Sequence, residues 1–208
     1  MIEDALRRRR SVRRFKADPV PEELVVRLLE GAITAPSASN KQPWKFLVVE
    51  NRSLITRMAD AVRTATALIA EHIPEESRAA FVAYGDYFTR FEAAPLVIVP
   101  ICRPLTLLSN LTGESLPDAR RACVQQLEAT SGLVSTSLAL GNILLLAEEL
   151  GLGASGMTGP LVARAELKQL LDVPNTWDIV ALVPIGFPAE FPEPTERKSM
   201  KFVSRWYR

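Results

Sequence analysis

Ala35-Pro36-Ser37-Ala38-Ser39-Asn40-Lys41-Gln42-Pro43-Trp44-Lys45-Phe46 joins a helix to a strand. Upstream, Leu24, Val25, Leu28, Leu29 and Ala32 recur at helical spacing behind Pro21, Glu22 and Glu23. Proline in the first turn and acid at the positive end of the dipole mark the start, so residues 22–34 read as an amphipathic helix. Downstream, Phe46-Leu47-Val48-Val49-Glu50 is a short apolar run and reads as a buried strand. Between them lie short hydroxyl and amide side chains on a proline-stiffened backbone, which suit a ligand's hydroxyls and phosphate. The same composition fits an ordinary connector, and the segment alone does not separate the two.

Working outward, residues 3–10 form a short basic helix, followed by the rigid connector Asp18-Pro19-Val20-Pro21. Residues 54–71 are helical, 78–91 form a second, aromatic-bearing helix, and Leu96-Val97-Ile98-Val99-Pro100-Ile101 is another buried strand. Residues 105–117, of mixed polarity with Gly and Pro, read as an excursion or lid. Residues 119–150 form one long helix or two abutting ones, stopped by Gly151 and Gly153. Its apolar half, residues 133–150, carries Glu148 and Glu149 in the last turn. That pair argues against a membrane span and for a helix buried on nearly every side, central or at a subunit interface. A glycine-rich turn over residues 153–159 follows, then a short helix over 162–171, and Ile179-Val180-Ala181-Leu182-Val183 as a strand. The tail from Pro188 ends in Phe202, Val203, Trp206 and Tyr207, an arm built to pack on something. Few strands with helices between them make an α+β or α/β layer protein, and no GxGxxG follows the first strand, which argues against a dinucleotide fold.

Composition narrows the chemistry. A net charge of +1 over 208 residues offers no field for nucleic acid or an anionic membrane. The basic charge is local, with six arginines between Arg7 and Arg14. The only histidine is His72, so His-based triads and multi-His metal sites are excluded by inventory. Cys102 and Cys123 have no CxxC spacing, which fits a reducing cytoplasm rather than a disulfide or zinc framework. An enzyme with this inventory borrows a cofactor.

Four segments carry candidate chemistry. Arg8-Arg9-Arg10-Ser11-Val12-Arg13-Arg14-Phe15 presents guanidiniums that could hold a phosphate and the polar edge of a flat ring, or could form a solvated or nucleic-acid-binding terminus. The loop 35–43 is the second. The glycines from Gly153 to Gly159 allow close backbone approach to a flat ligand. Pro194-Thr195-Glu196-Arg197-Lys198 adds a distant cationic point.

In order and spacing these segments resemble the nitroreductase family of flavoproteins. Arg9-Arg10-Ser11-Val12-Arg13-Arg14-Phe15 is similar to the family's Arg-Arg-Ser-x-Arg-x-Phe, and Ala35 through Phe46 to its Ala-Pro-Ser-x-x-Asn-x-Gln-Pro-Trp-x-Phe. Gly141-Asn142 with Gly151-Leu152-Gly153, and Pro194 with Arg197, resemble its later signatures. The resemblance implies one domain over residues 1–208, an α+β fold with a mixed central sheet, a long central helix and a dimer-spanning C-terminal arm over residues 188–208. It also implies FMN as cofactor. Arg9, Arg10 and Ser11, helped by Arg197, would hold the phosphate and ribityl end. Arg13 would lie at the pyrimidine edge, where a cation stabilises the charge of the reduced ring. Pro36, Ser37, Ala38, Asn40 and Gln42 would cover the flavin of a second subunit, and Gly156, Met157, Thr158 and Gly159 would run past the ring. NADPH or NADH would be the reductant and a nitroaromatic, quinone or activated alkene the acceptor, in a cytoplasmic homodimer with no nucleic acid or membrane partner. The family's acidic residue in the glycine-rich turn is absent, Met157-Thr158 standing there instead. A non-catalytic flavin-binding protein, or a specialised dehydrogenase or flavin-fragmenting branch, is the alternative. Residues 105–117 with Phe81, Tyr84, Tyr87, Phe88 and Phe91 are the expected walls of the acceptor pocket, Trp44 a packing residue and His72 a helix-end residue.

Overall fold

The computed structural model describes residues 2–208. Its centre is β2 (Leu96–Cys102), buried along its whole length. β1 (Trp44–Val49) runs antiparallel to β2 in the register Trp44↔Cys102 through Val49↔Val97. On the other side β2 meets β4 (Asp178–Ile179) and β5 (Val183–Gly186), and β3 (Gly153–Ala154) closes the far edge on β5. All these pairings are antiparallel. The sheet is mixed only through one parallel bridge, Ser11↔Ala154, where the N-terminal segment joins the edge.

Two expectations are corrected here. The single strand expected over residues 179–183 is broken into β4 and β5. The register runs from Ile101↔Ile179 to Ile98↔Val183, so this side carries one extra residue, a bulge. It falls opposite Pro100, which has no N–H to donate and whose carbonyl takes the Val180 amide at 2.9 Å. Nor do residues 153–157 turn. Gly153↔Gly186, Ala154↔Ile185 and Met157↔Leu182 keep one register, so the glycine-rich run is an extended edge along β5, and the chain turns only at Thr158.

Helices cover both faces of the sheet. α3 (Arg52–Glu71), capped by the Asn51 side chain on the Leu54 amide, packs with α6 (Arg164–Leu170) on Val97, Val99 and Ile101. α2 (Glu22–Ile33) and α5 (Asp118–Glu149) pack on Leu96 and Ile98. The alternation of β2 side chains between these two cores is the two-residue period of a strand covered on both sides. Trp44 is a core residue of the second layer. α1 (Ile2–Arg8) lies on α5, and α4 (Glu75–Gly85) gives way to a 3₁₀ stretch over Asp86–Ala93, so the second aromatic helix starts and stops earlier than its pattern predicts.

α5 is one continuous helix of 32 residues, about 48 Å long at 1.5 Å per residue. It stops in a Schellman turn: Leu152 N donates to Ala147 O, Gly151 N to Glu148 O, and Gly151 takes φ 71°, the left-handed conformation glycine accepts without strain. It alone is long and apolar enough to cross a membrane by length and composition, among the described residues. The expectation that its apolar half is buried on nearly every side does not hold within one chain. Leu133, Val134 and Leu138 are about half exposed, as is Leu127 before them. Beyond the body, α7 (Met200–Val203) and the exposed Phe191, Phe202, Trp206 and Tyr207 make up the arm.

Candidate active site

The N-terminal segment is pinned from three directions. Val12 N donates to Ala154 O at 3.1 Å, Lys16 N to Phe187 O, and Ala189 N to Arg14 O. The Glu190 carboxylate accepts the amides of both Arg13 (2.7 Å) and Arg14 (3.1 Å). Arg13 therefore leaves a fixed backbone, and its Nη1 donates to Ser11 O at 3.2 Å.

Arg13 lines a pocket of about 260 Å³ together with Tyr84, Tyr87, Phe88 and the residues from Gly156 to Pro160. Phe88 stands edge-on to Tyr84, with ring centroids 5.0 Å apart. Its ring sits against Gly159 so closely that a Cβ there would run into it, so the glycine is what lets the 3₁₀ stretch and the edge strand meet. Arg90 lies over the Tyr87 ring at 4.0 Å, and Arg13 is 6.0 Å from the same centroid. The Met157 amide is spent on Leu182 O and its side chain is buried in the core. The Thr158 amide makes no hydrogen bond among the described residues. Next to this run, the Ser155 hydroxyl is buried without a partner.

The other predicted residues lie elsewhere or are engaged differently. Arg10 folds back, its Nη1 on the carbonyls of Arg7 (2.6 Å), Arg8 (2.8 Å) and Arg9 (3.0 Å), the place a cation takes at a helix C-terminus. The Arg9 side chain, half-buried, makes no hydrogen bond or ion pair among the described residues, and neither does exposed Arg197. The loop carrying Pro36, Ser37, Ala38, Asn40 and Gln42 also lines no part of the Arg13 pocket. It folds as a 3₁₀ turn over Ala38–Asn40 with Ser39, Asn40 and Gln42 at φ 51°, 51° and 46°, three of the four left-handed non-glycine residues among those described. Such conformations cost roughly 1 kcal/mol each. Local bonds offset this: the Gln42 amide donates to Ser37 Oγ (3.0 Å), Gln42 Nε2 to Asn40 Oδ1 (3.3 Å), and the Ala38 amide to Ser135 Oγ of α5 (3.2 Å).

Of the expected acceptor walls, Tyr84, Tyr87 and Phe88 line the pocket. Phe91 is fully buried beneath, and Phe81 is not among the lining residues. Residues 105–117 form no lid there. Leu105 and Leu107 border a different crevice, and the buried Glu128 carboxylate takes the amides of Leu108 (2.7 Å) and Ser109 (3.2 Å). Burial pushes that carboxyl up, but the Ser109 hydroxyl and the loop amides outweigh it, so Glu128 stays below the usual carboxylate range. His72 sits at the end of α3 with Nδ1 on Leu68 O. Sequence reasoning missed Glu190: one of three glutamates in a proline-rich tail, it gives no signal that it reaches residues 176 and 177 positions away.

Comparison with known proteins covers nearly the whole chain. The nitroreductase family model matches residues 6–187. An NADH dehydrogenase of Thermus thermophilus is 32% identical over 96% of this chain and 92% of its own length. A 5,6-dimethylbenzimidazole synthase of Rhodospirillum rubrum is 31% identical over 88% of this chain and 79% of its own. Among solved structures, a BluB-like flavoprotein from Clostridium difficile 630 superposes with a TM-score of 0.86 over 100% of this chain and 99% of its own, at 21% identity. The chain belongs to the nitroreductase family and is, at that level, a flavoprotein oxidoreductase.

Proposed function

We propose that this chain is an FMN-dependent oxidoreductase that draws hydride from NADPH or NADH and delivers it to a small oxidised acceptor, a nitroaromatic, quinone or activated alkene. The observation that carries the proposal is Arg13, its amide on Glu190 and its guanidinium on Ser11 O, lining one pocket with Tyr84, Tyr87, Phe88 and the run from Gly156 to Pro160. A planar cofactor suits this pocket: Tyr84 and Tyr87 give it aromatic walls, Thr158 has an amide to give, and Arg9 has an unengaged guanidinium for a phosphate. FMN, when bound, would carry the hydride between reductant and acceptor.

The chain's own part is orientation and charge. Arg13 is a cation already in place that needs no reorganisation, so it favours negative charge developing beside it. Tyr84, Tyr87 and Phe88 offer stacking faces for a planar acceptor and exclude water. No carboxylate or histidine lines the pocket among the described residues, so neither group supplies a general base from its walls.

We further propose a single domain over residues 1–208 that works as a homodimer in a reducing, cytoplasmic setting, with the arm over residues 188–208 reaching across. The exposed Leu127, Leu133, Val134 and Leu138 of α5 support the dimer, since covering each by a second copy contributes about 1–2 kcal/mol. In that arrangement Pro36, Ser37, Ala38, Asn40 and Gln42 cover the partner's cofactor, with Arg9, Arg10 and Ser11, helped by Arg197, as the phosphate site. Free thiols at Cys102 and Cys123 accord with the compartment.

The test is the absorbance spectrum of the purified protein before and after anaerobic NADPH or NADH. A flavin spectrum that bleaches and returns on re-aeration is expected. Bound flavin that neither nucleotide reduces makes this a binding protein, and a colourless protein that refuses added FMN overturns the proposal. Likeness to the dimethylbenzimidazole synthase favours one second reading, a branch that consumes its flavin. There the reduced flavin's spectrum fails to return with air.

A further inference from the structure

β1 and β2 end side by side at Trp44↔Cys102, and Arg103 N donates to Pro43 O at 3.0 Å, which extends the ladder by one pair. Side chains alternate along strands, so Lys45, opposite Ile101, shares a sheet face with Arg103 as its diagonal neighbour. Both meet Trp177 from the loop before β4: Lys45 Nζ lies 4.8 Å from its ring centre and Arg103 Cζ 5.6 Å. Lys41 and Arg103 line a crevice of about 600 Å³ on this indole, with Thr106, Asn110 and Thr176 among the other walls.

No acidic residue lines this crevice, and Lys41, Lys45 and Arg103 make no ion pair or side-chain hydrogen bond among the described residues. In the other large crevices the arginines have partners, Arg78 on Ile73 O and Arg10 on the carbonyls at the end of α1 among them. Arg63 is tied to Asp60 and Glu92 between α3 and α4, and Arg8 to Glu148 and Glu149 beside α1. Nearby Arg164 is paired with Asp178, and Lys168 donates to Trp177 O. Two cations held on one ring, with Lys41 on the same crevice, concentrate positive charge that no acidic lining residue offsets.

We propose that this crevice binds a diphosphate-bearing small anion. A guanidinium grips phosphate oxygens in pairs and the lysines add point charge, which a lone carboxylate would leave largely uncompensated. Thr106, Asn110 and Thr176 are neutral hydrogen-bonding side chains suited to the remaining oxygens. The volume exceeds a bare diphosphate and leaves room for a nucleoside on it. The anion is either free pyrophosphate or the diphosphate of a nucleotide.

Calorimetric titration of the FMN-loaded protein with pyrophosphate and, separately, ADP tests this, with the parent compared against Arg103→Gln and Lys45→Gln, both at exposed positions. Binding that weakens with added salt is expected. Arg103→Gln should raise Kd about tenfold or more and Lys45→Gln about threefold, with the flavin spectrum unchanged. Equal affinities for the two probes identify the free diphosphate as sufficient, and tighter ADP identifies a nucleotide. No binding of either probe, or affinities that neither substitution moves, overturns the proposal. If the chain takes up no flavin, the oxidoreductase reading fails while the same titration still reads the crevice.

Discussion

The segment from Arg9 to Phe15 and the loop from Pro36 to Gln42 are the two most recognisable stretches of this sequence, and the chain holds them by opposite means. The first has little local structure of its own. Its course is set by Ala154, Phe187, Ala189 and Glu190, all far away in sequence. The second holds itself, with left-handed backbone at three residues and hydrogen bonds that reach no further than Gln42, apart from one to Ser135. The difference teaches which side of a shared site each supplies. A segment braced against its own sheet can carry a precisely aimed charge for its own pocket. A loop stiffened internally and standing clear of that pocket is suited to be pressed onto a neighbour.

The sharpest break in that comparison removes the aimed charge. Arg13→Ala is expected to slow flavin reduction about 10²-fold, the scale seen when one preorganised charge-stabilising donor is lost. FMN affinity should fall far less, because the phosphate end is not touched. Stopped-flow reduction and FMN titration read the two separately, and equal losses in both would remove Arg13's electronic role.

Next comes the brace. Glu190→Ala frees two amides that now donate to a mostly buried carboxylate, and should cost about 2 kcal/mol in urea unfolding. Flavin reduction should slow as well, since Arg13 then leaves a loose backbone. Glu190→Gln keeps an acceptor and should recover most of the stability. A variant that loses stability but reduces at the parent rate would show the brace to be structural only. The loop's tie to α5 is weaker: Ser135→Ala removes one neutral bond to the Ala38 amide and should cost about 1 kcal/mol, read by thermal melting. Because the loop is proposed to serve the partner's cofactor, FMN affinity should fall with it, and unchanged affinity would count against the shared site.

What was legible in the sequence follows the same division. α2, α3, β1 and β2 rest on local periodicity and on caps such as Pro21 and Asn51, and were read almost to their ends. The loop was legible because Pro36, Ser37 and Asn40 act on their own backbone. The glycine run was misread as a turn, since its extended course comes from pairing with β5 about thirty residues on. The break opposite Pro100 needs knowledge of which strands are neighbours. Glu190 is a tertiary fact without local signal, its partners lying 176 and 177 positions away. The bare side of α5 could be seen as apolar, but apolarity does not say whether its own chain or a second one covers it.

The smallest expected effect separates strain that is tolerated from strain that is used. Ser39 sits at φ 51° and ψ 28°, and its side chain makes no hydrogen bond among the described residues. Asparagine enters this conformation more readily than serine, so the cost at Ser39 is less offset than at Asn40. Ser39→Gly relieves it, while glycine's freedom in the unfolded chain takes part of the gain back, leaving a net stabilisation of about 0.5 kcal/mol. If the loop's stiffness serves the partner's cofactor, FMN affinity should fall slightly even as the melting temperature rises. A protein that gains in both would mean the left-handed backbone is carried there only because Asn40 and Gln42 need it.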